Sequence, residues 1–334
     1  MMNCTARKYR HRVLARLLLV VALLGWGCGE ASGQVDAQFT QYWAAPTYYN
    51  PAAAGNLDSI HITGGSRAQW VGIKHAPLTF VALGDMPFKF LNKRWGTGVS
   101  VQQESMGLYK SIHAGAQLAF KKKMLGGMLS VGIQAGIINE SFNGDSIFIP
   151  EGDNYHQGTD EAIPRTQVGG TAFDANVGVF YTHKWFWTGI SATHITQPTV
   201  TLKTDQSEDQ QYEFDAGRIY YFMAGSNIPI KNTLFEVQPS VMVKSDFQFF
   251  QAEATARVRY NKFLSAGVGY RYKDAVSVMV GAEYKNFFIG YSYDYATSAI
   301  SKVSNGSHEV FVTYNVKLDL KEKNKNKHKS IRIM

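Results

Sequence analysis

Two sets of residues in this chain have the types and spacing to do chemistry. The first is a series of charged side chains in the C-terminal third: Glu236 and Lys244, then Glu253, Arg257 and Arg259, then Arg271, Glu283, Asp294 and Glu309. Each sits at an alternate position of a short run whose other positions are apolar, so on paired strands these charges face a common interior. Such charges either line a charge-selected path for solutes or neutralise one another in a filled interior. Close interleaving of the two signs favours the filled interior. The second set is aromatic: Phe39, Tyr42, Trp43, Tyr48 and Tyr49, crowded between Gln34 and Leu57 with prolines at 46 and 51. A proline-broken aromatic stretch with no period is an aggregation hazard unless it packs against something.

Conventional reactive motifs are missing from the sequence. The nine histidines, at 11, 61, 75, 113, 156, 183, 194, 308 and 328, show no HExxH or other close metal spacing. The two cysteines, Cys4 and Cys28, fall in the leader described below. There is no Walker loop and no GxSxG, and Gly267-Val268-Gly269 lies inside an alternating run, where glycine makes room in a wall. Glu140, Asp145, Glu151, Asp153, Asp160 and Glu161 match no calcium loop and read as a solvated loop. This pattern supports neither an enzyme nor a cofactor or metal protein.

The elements that would position both sets are β-strands. Leu264, Ala266, Val268, Tyr270 and Tyr272 share one face, opposite Ser265, Gly267, Gly269, Arg271 and Lys273. The same division recurs over 276–285, 289–295 and 309–318. One apolar face, one small or charged face and tyrosines near the ends are the form of a transmembrane β-barrel. A soluble sandwich would not place Tyr in its core and repeated Arg, Glu and Asp outside. About fourteen candidates follow, near 59–70, 77–87, 96–104, 109–121, 128–139, 172–183, 186–195, 217–228, 234–244, 249–260, 263–272, 275–285, 287–296 and 308–318. The fold class is therefore an all-β antiparallel barrel. The longer connections (140–171, 196–216 and 297–307) all follow odd-numbered strands, while even connections are mostly tight. Because external loops are the long ones, this predicts both termini in the periplasm. Pro239, inside the ninth candidate, predicts a bulge.

Residues 1–33 read as a secretory signal peptide: basic Arg7 to Arg16, apolar Leu17 to Leu24, then Ala31-Ser32-Gly33 before Gln34. Cys28 offers a lipid-modified alternative, for which Gly25-Trp26-Gly27 is a poor preceding sequence. Residues 34–58 form a non-barrel segment on or in the periplasmic mouth, 59–318 the barrel, and 319–334 a basic tail. Of the net charge of +8, the leader and the tail from Lys317 carry the whole excess and the barrel body is near neutral. The basicity is therefore no sign of nucleic-acid binding. No run beyond the leader approaches the roughly 20 apolar residues of a membrane helix.

Several stretches together resemble the PorP/SprF family of outer-membrane proteins, which belongs to the type IX secretion system of Bacteroidota. They are GQVDAQFTQYWAAPTYYNPAAAGN at 33–56, Trp70 to Pro77, GISATHITQP at 189–198, and GYSYDY at 290–295 followed by SHEVFVTY at 307–314. The departures are Ala37, where a proline is common, and the long basic tail. The resemblance implies a non-enzymatic outer-membrane barrel, in contact with membrane lipid and with periplasmic and outer-membrane secretion components. It assists secretion, or serves a secreted surface adhesin. The alternative is a general porin or solute channel.

Overall fold

The computed structural model describes residues 36–144, 166–204 and 207–318. Residues 1–35, which include the expected signal peptide at 1–33, most of the 140–171 loop and the basic tail lie outside the described residues. The strands are β1 (Ser59–Ala68), β2 (Leu78–Phe90), β3 (Lys93–Met106), β4 (Tyr109–Met124), β5 (Gly127–Asn143), β6 (Gln167–Thr182), β7 (Phe186–Thr193), β8 (Thr199–Thr204), β9 (Ser207–Asp215), β10 (Ile219–Ser226), β11 (Ile228–Pro229), β12 (Phe235–Ser245), β13 (Phe250–Tyr260), β14 (Leu264–Arg271), β15 (Ala275–Tyr284), β16 (Phe287–Ala296) and β17 (Ser307–Lys317). All pair antiparallel with their neighbours. The ring closes where β1 meets β17, from Ser59↔Lys317 to Ala68↔His308. Apart from the β8–β9 hairpin and the two-residue β11, this is a closed barrel of 14 strands.

Alternation decides which way each side chain points. Val268, Val276, Val278, Val280 and Ile289 are exposed on the outer wall, while Arg271, Ser277, Met279, Ser292 and Asp294 are buried inside. Outward aromatic pairs ring one rim: Phe235 with Tyr260 (5.0 Å between ring centroids) and Phe287 with Tyr314 (4.5 Å). Tyr109 with Phe142 (4.7 Å) stands toward the other. An apolar band between aromatic girdles is the outer surface of an outer-membrane-type barrel.

The two rims differ. At one, turns are tight, and left-handed backbone at Leu91 and Asn92 (φ 50° and 56°) and at Leu125 and Gly126 (51° and 77°) closes two-residue hairpins of the twist-matched type. β1 begins and β17 ends at this rim. The other rim carries the longer connections. There, β5 is 17 residues long, against the roughly 9–11 that a bilayer requires. Pairing with β6 continues through Asn143↔Gln167 although the apolar pattern has faded. The strands thus outlast their hydropathy. The connection after β7 folds into the β8–β9 hairpin, whose Val200 and Leu202 pack against Ile138, Phe142 and Val168.

Pro239 makes no bulge. Gly225↔Ser240 and Ile228↔Val237 share one register, so no residue is inserted. The ladder lapses only opposite Gln238 and Pro239, where the missing N–H meets the β10–β11 break.

Replacing outward Val278, at mid-strand opposite Val268, by Arg is expected to destabilise the lipid-embedded protein by about 2–4 kcal/mol. Val303→Arg, in an exposed connection, should stay within about 0.5 kcal/mol. Denaturant unfolding from lipid vesicles measures both, and equal effects would remove the lipid face.

Candidate functional site

Residues 36–57 lie inside the lumen rather than across one mouth. Asp36 sits at the long-connection end, against Thr193 at the last position of β7, and Asn56 sits at the tight-turn end, against Lys121 near the end of β4. Short turns carry the chain between them. Tyr42–Ala44 is a 3-10 turn, Pro46 opens a single α-helical turn (Pro46–Tyr49), and Pro51 opens another 3-10 turn (Pro51–Ala53). Proline suits a first helical position because its missing N–H would be unpaired there anyway. The Asn50 side chain accepts from Ala52 N–H (2.9 Å) and donates to the wall carbonyls of Val179 and Ile190 (3.0 and 3.1 Å). The wall gives way where the segment's backbone, or the Asn50 side chain, presses against it. A Cβ built on Gly96, Gly132 or Gly178 would collide with Ala54, Ala52 or Asn50.

The aromatic residues are the packing of this segment. Phe39, Tyr42 and Tyr49 are fully buried, with Trp43 and Tyr48 packed against them. Phe39 meets Tyr48 and Phe311 edge-on at 5.3 and 5.2 Å. Every buried phenol is paired: Tyr42 OH donates to Ser240 Oγ (2.9 Å), Tyr48 OH to Gln102 Oε1 (2.7 Å), and Tyr49 OH accepts from Phe39 N–H (2.9 Å). Trp43 alone faces the tight-turn mouth, stacked under Arg257 (3.2 Å) and edge-on to Phe288 (5.5 Å).

The lumen charges fall into two groups. Toward the long-connection end, Arg271 bridges Glu253 (2.9 Å), Asp294 (3.4 Å) and Asp274 (3.1 Å), and Arg67 bridges Asp294 (2.7 Å) and Glu309 (3.2 Å). The lumen segment completes this network. Glu309 accepts the backbone N–H groups of Thr40 and Gln41 (2.8 Å each), and Gln38 donates to Glu253 (2.9 Å). The Thr40 hydroxyl donates to Asp294 (2.7 Å) and accepts from Arg67 (3.1 Å) and Arg271 (2.9 Å). Toward the tight-turn end, partly exposed Arg259 bridges Glu236 (2.9 Å) and Glu283 (3.2 Å). Lys244 Nζ reaches the Asp36 carbonyl (3.4 Å). Arg257 joins no carboxylate among the described residues, although it shares the charged interior face with Glu253 and Arg259. Its guanidinium lies over the Trp43 ring that the plug presents to it.

A third cluster was not evident from sequence spacing. His194, directly after β7, donates from Nε2 to Asp36 (3.1 Å) and from Nδ1 to Asp174 (3.0 Å), and His113 lies beside it, ring centroids 5.6 Å apart. Burial alone would neutralise both members of the Asp36–His194 pair. The pairing outweighs it, holding Asp36 below the usual carboxylate range and pushing His194 up to about 10. Of the 140–171 carboxylates, Glu140 lies in β5 on Ser111; the others fall outside the described residues.

The family model for type IX secretion system membrane protein PorP/SprF matches residues 31–314. The chain belongs to this family. No individual curated protein matches it. Among solved structures, the PorP/SprF barrel is similar to a Pseudomonas aeruginosa FadL homologue (9% identity, 89% of this chain and 98% of that one, TM-score 0.48). It is also similar to the Pseudomonas putida toluene transporter TodX (8%, 87% and 96%, 0.44) and to Acinetobacter baumannii Omp33 (8%, 78% and 98%, 0.43).

Within this PorP/SprF chain, Arg67, Asp36, Thr40, His113 and His194 are the site residues that sequence reading missed. Arg67 and His113 stand on polar-alternate faces of their strands, as Arg271 does, and that signal could have found them. Asp36 and Thr40 carry no period, so only the fold reveals their contacts.

Arg271→Met leaves Glu253 and Asp294 short of a cation in a closed space and is expected to cost about 3–5 kcal/mol. Arg94→Met, whose partner Asp58 is largely exposed, should cost less than about 1 kcal/mol. Denaturant titration of the detergent-solubilised barrel compares the two, and matching losses would show that the lumen network adds nothing.

Proposed function

We propose that the protein is a plugged, non-enzymatic outer-membrane component of the type IX secretion system that works by docking a partner at one mouth. The partner is a periplasmic secretion component or a cargo protein, including a surface adhesin, which the barrel helps to secrete or anchor. Export through the N-terminal signal peptide, with the tight-turn rim in the periplasm, fits the loop lengths. The observation that carries the reading is the lumen segment. Thr40 and Gln41 are pinned by Glu309 while Phe39, Tyr42 and Tyr49 fill the interior, an arrangement that suits an anchoring body better than a diffusive pore.

The tight-turn mouth offers the docking surface. A cavity of about 380 Å³ opens there, lined by Trp43, Leu57, Phe180, Trp187, Phe287 and Phe288. Exposed aromatics in a concave site are the anchoring points that protein partners use. Tyr42 and Tyr49, being buried, hold the plug together and do not meet the partner.

Trp43→Ala with Phe288→Ala is therefore expected to leave the barrel inserted and heat-modifiable on a gel while secretion of cargo falls severalfold. The wild-type protein should show no large, steady conductance in planar bilayers. Strong wild-type conductance, with secretion untouched by the double variant, would support the solute-channel reading instead.

A further inference from the structure

We propose that Asp36, His113 and His194 bind a divalent transition-metal ion of the zinc type, which ties the start of the lumen segment to the barrel wall. One donor atom from each lies within 4.8 Å of the other two. The three come from separate parts of the chain: Asp36 from the lumen segment, His113 from β4, and His194 from the residue after β7. Tetrahedral zinc, bonded at about 2.0–2.2 Å, holds its donors about 3.3 Å apart, so closure onto an ion needs shifts of about 1.5 Å at most. Asp36 Oδ1 and His194 Nε2 are already 3.1 Å apart.

The outer contacts are those of metal-binding side chains. His194 turns its other nitrogen, Nδ1, to Asp174 (3.0 Å). His113 Nε2 lies 2.8 Å from Ser111 Oγ and 3.6 Å from Glu140, which leaves its Nδ1 for an ion. A carboxylate behind each imidazole fixes the ring and raises its basicity as a ligand. Asp36 is held in the same way through Oδ2, which accepts from Tyr221 OH (2.8 Å) and Thr193 Oγ1 (3.3 Å), so that Oδ1 is directed at the histidines.

Space and charge agree with this arrangement. A cavity of about 40 Å³ adjoins the triad, lined also by Gln102, Gln134 and Asn176. That is room for an ion and for water as its fourth ligand. Asp36, Asp174 and Glu140 offset the two positive charges. Two imidazoles select a transition metal over calcium or magnesium, which take oxygen donors. On binding, the ion replaces the proton that His194 Nε2 donates to Asp36, and that proton passes to solvent.

The full-length exported protein, purified in detergent and stripped with a chelator, can be titrated with Zn²⁺ against a chromophoric competitor. The wild type is expected to bind one ion with micromolar or tighter affinity and to gain heat resistance with zinc. His113→Gln should weaken binding by more than about 100-fold and Asp174→Asn by about 10–100-fold, while His308→Gln, away from the cluster on Tyr291, should leave it unchanged. Heat-modifiability establishes that each variant is folded. Co²⁺ loaded into the wild type decides independently of any variant. Intense four-coordinate visible bands support the site, whereas weak six-coordinate bands or none overturn it. Zinc that binds wild type and His113→Gln equally is adventitious and overturns it as well.

Discussion

Arg67 and Glu309 face one another across the seam at which the first and last strands close the barrel. Both are buried, and neither is stable there alone. A carboxylate and a guanidinium withdrawn from water lose several kcal/mol of solvation each, which only close, multiple hydrogen bonds restore. The lumen segment supplies them. Glu309 takes two successive backbone N–H groups from Thr40 and Gln41, and the Thr40 hydroxyl sits between Arg67, Arg271 and Asp294. Closing the ring and seating the plug therefore satisfy the same charges. Apolar residues could fill the space more cheaply, but they would not fix which backbone lies where.

This dependence separates the two ends of the lumen. Near the long connections, charges are dry, crosslinked and shared with the segment. Near the tight turns, Arg259, Glu236 and Glu283 are partly exposed, and Arg257 is spent on the Trp43 ring. Interleaved charge along a solute path would need water beside it to select ions. Charge that accepts from plug amides is framework instead, which leaves the wetter, aromatic mouth as the surface on which another molecule can act.

Legibility in the sequence followed the regularity of the physics. The strand positions could be read because lipid outside and a polar interior impose a period of two, and the late strands, from Leu264 to Lys317, are cleanest because their outer faces are almost wholly apolar. The same rule placed Arg271, Glu253, Asp294 and Glu309 on one interior. It did not pair them. Pairing depends on register and on the plug, so the stacking of Arg257 on Trp43 could not be foreseen and Arg67 was passed over. Around Pro239 a general rule about strands misled, because a strand can lose a neighbour for two residues without gaining one. The long extensions of β5 and β6 were invisible for the opposite reason: beyond the bilayer, alternation no longer answers to lipid while the hydrogen-bond ladder continues. The Asp36, His113 and His194 cluster rests on three segments with no shared period, so only the assembled fold could bring it to view.

The energies also say how such a barrel can act. Withdrawing the segment from the lumen would unpair Glu309, Glu253, Arg67 and Arg271 together, and breaking one buried pair alone costs about 3–5 kcal/mol. A partner that covers Trp43 and Phe288, both already partly buried, gains less than the roughly 3–6 kcal/mol of burying two fully exposed side chains. That contributes to holding a protein at the rim but falls well short of what emptying the lumen demands. On the docking proposal, the barrel would therefore receive its partner with the plug in place: Trp43 lines the mouth cavity while Arg257 lies over its ring, so that the proposed docking surface is itself part of the seated segment.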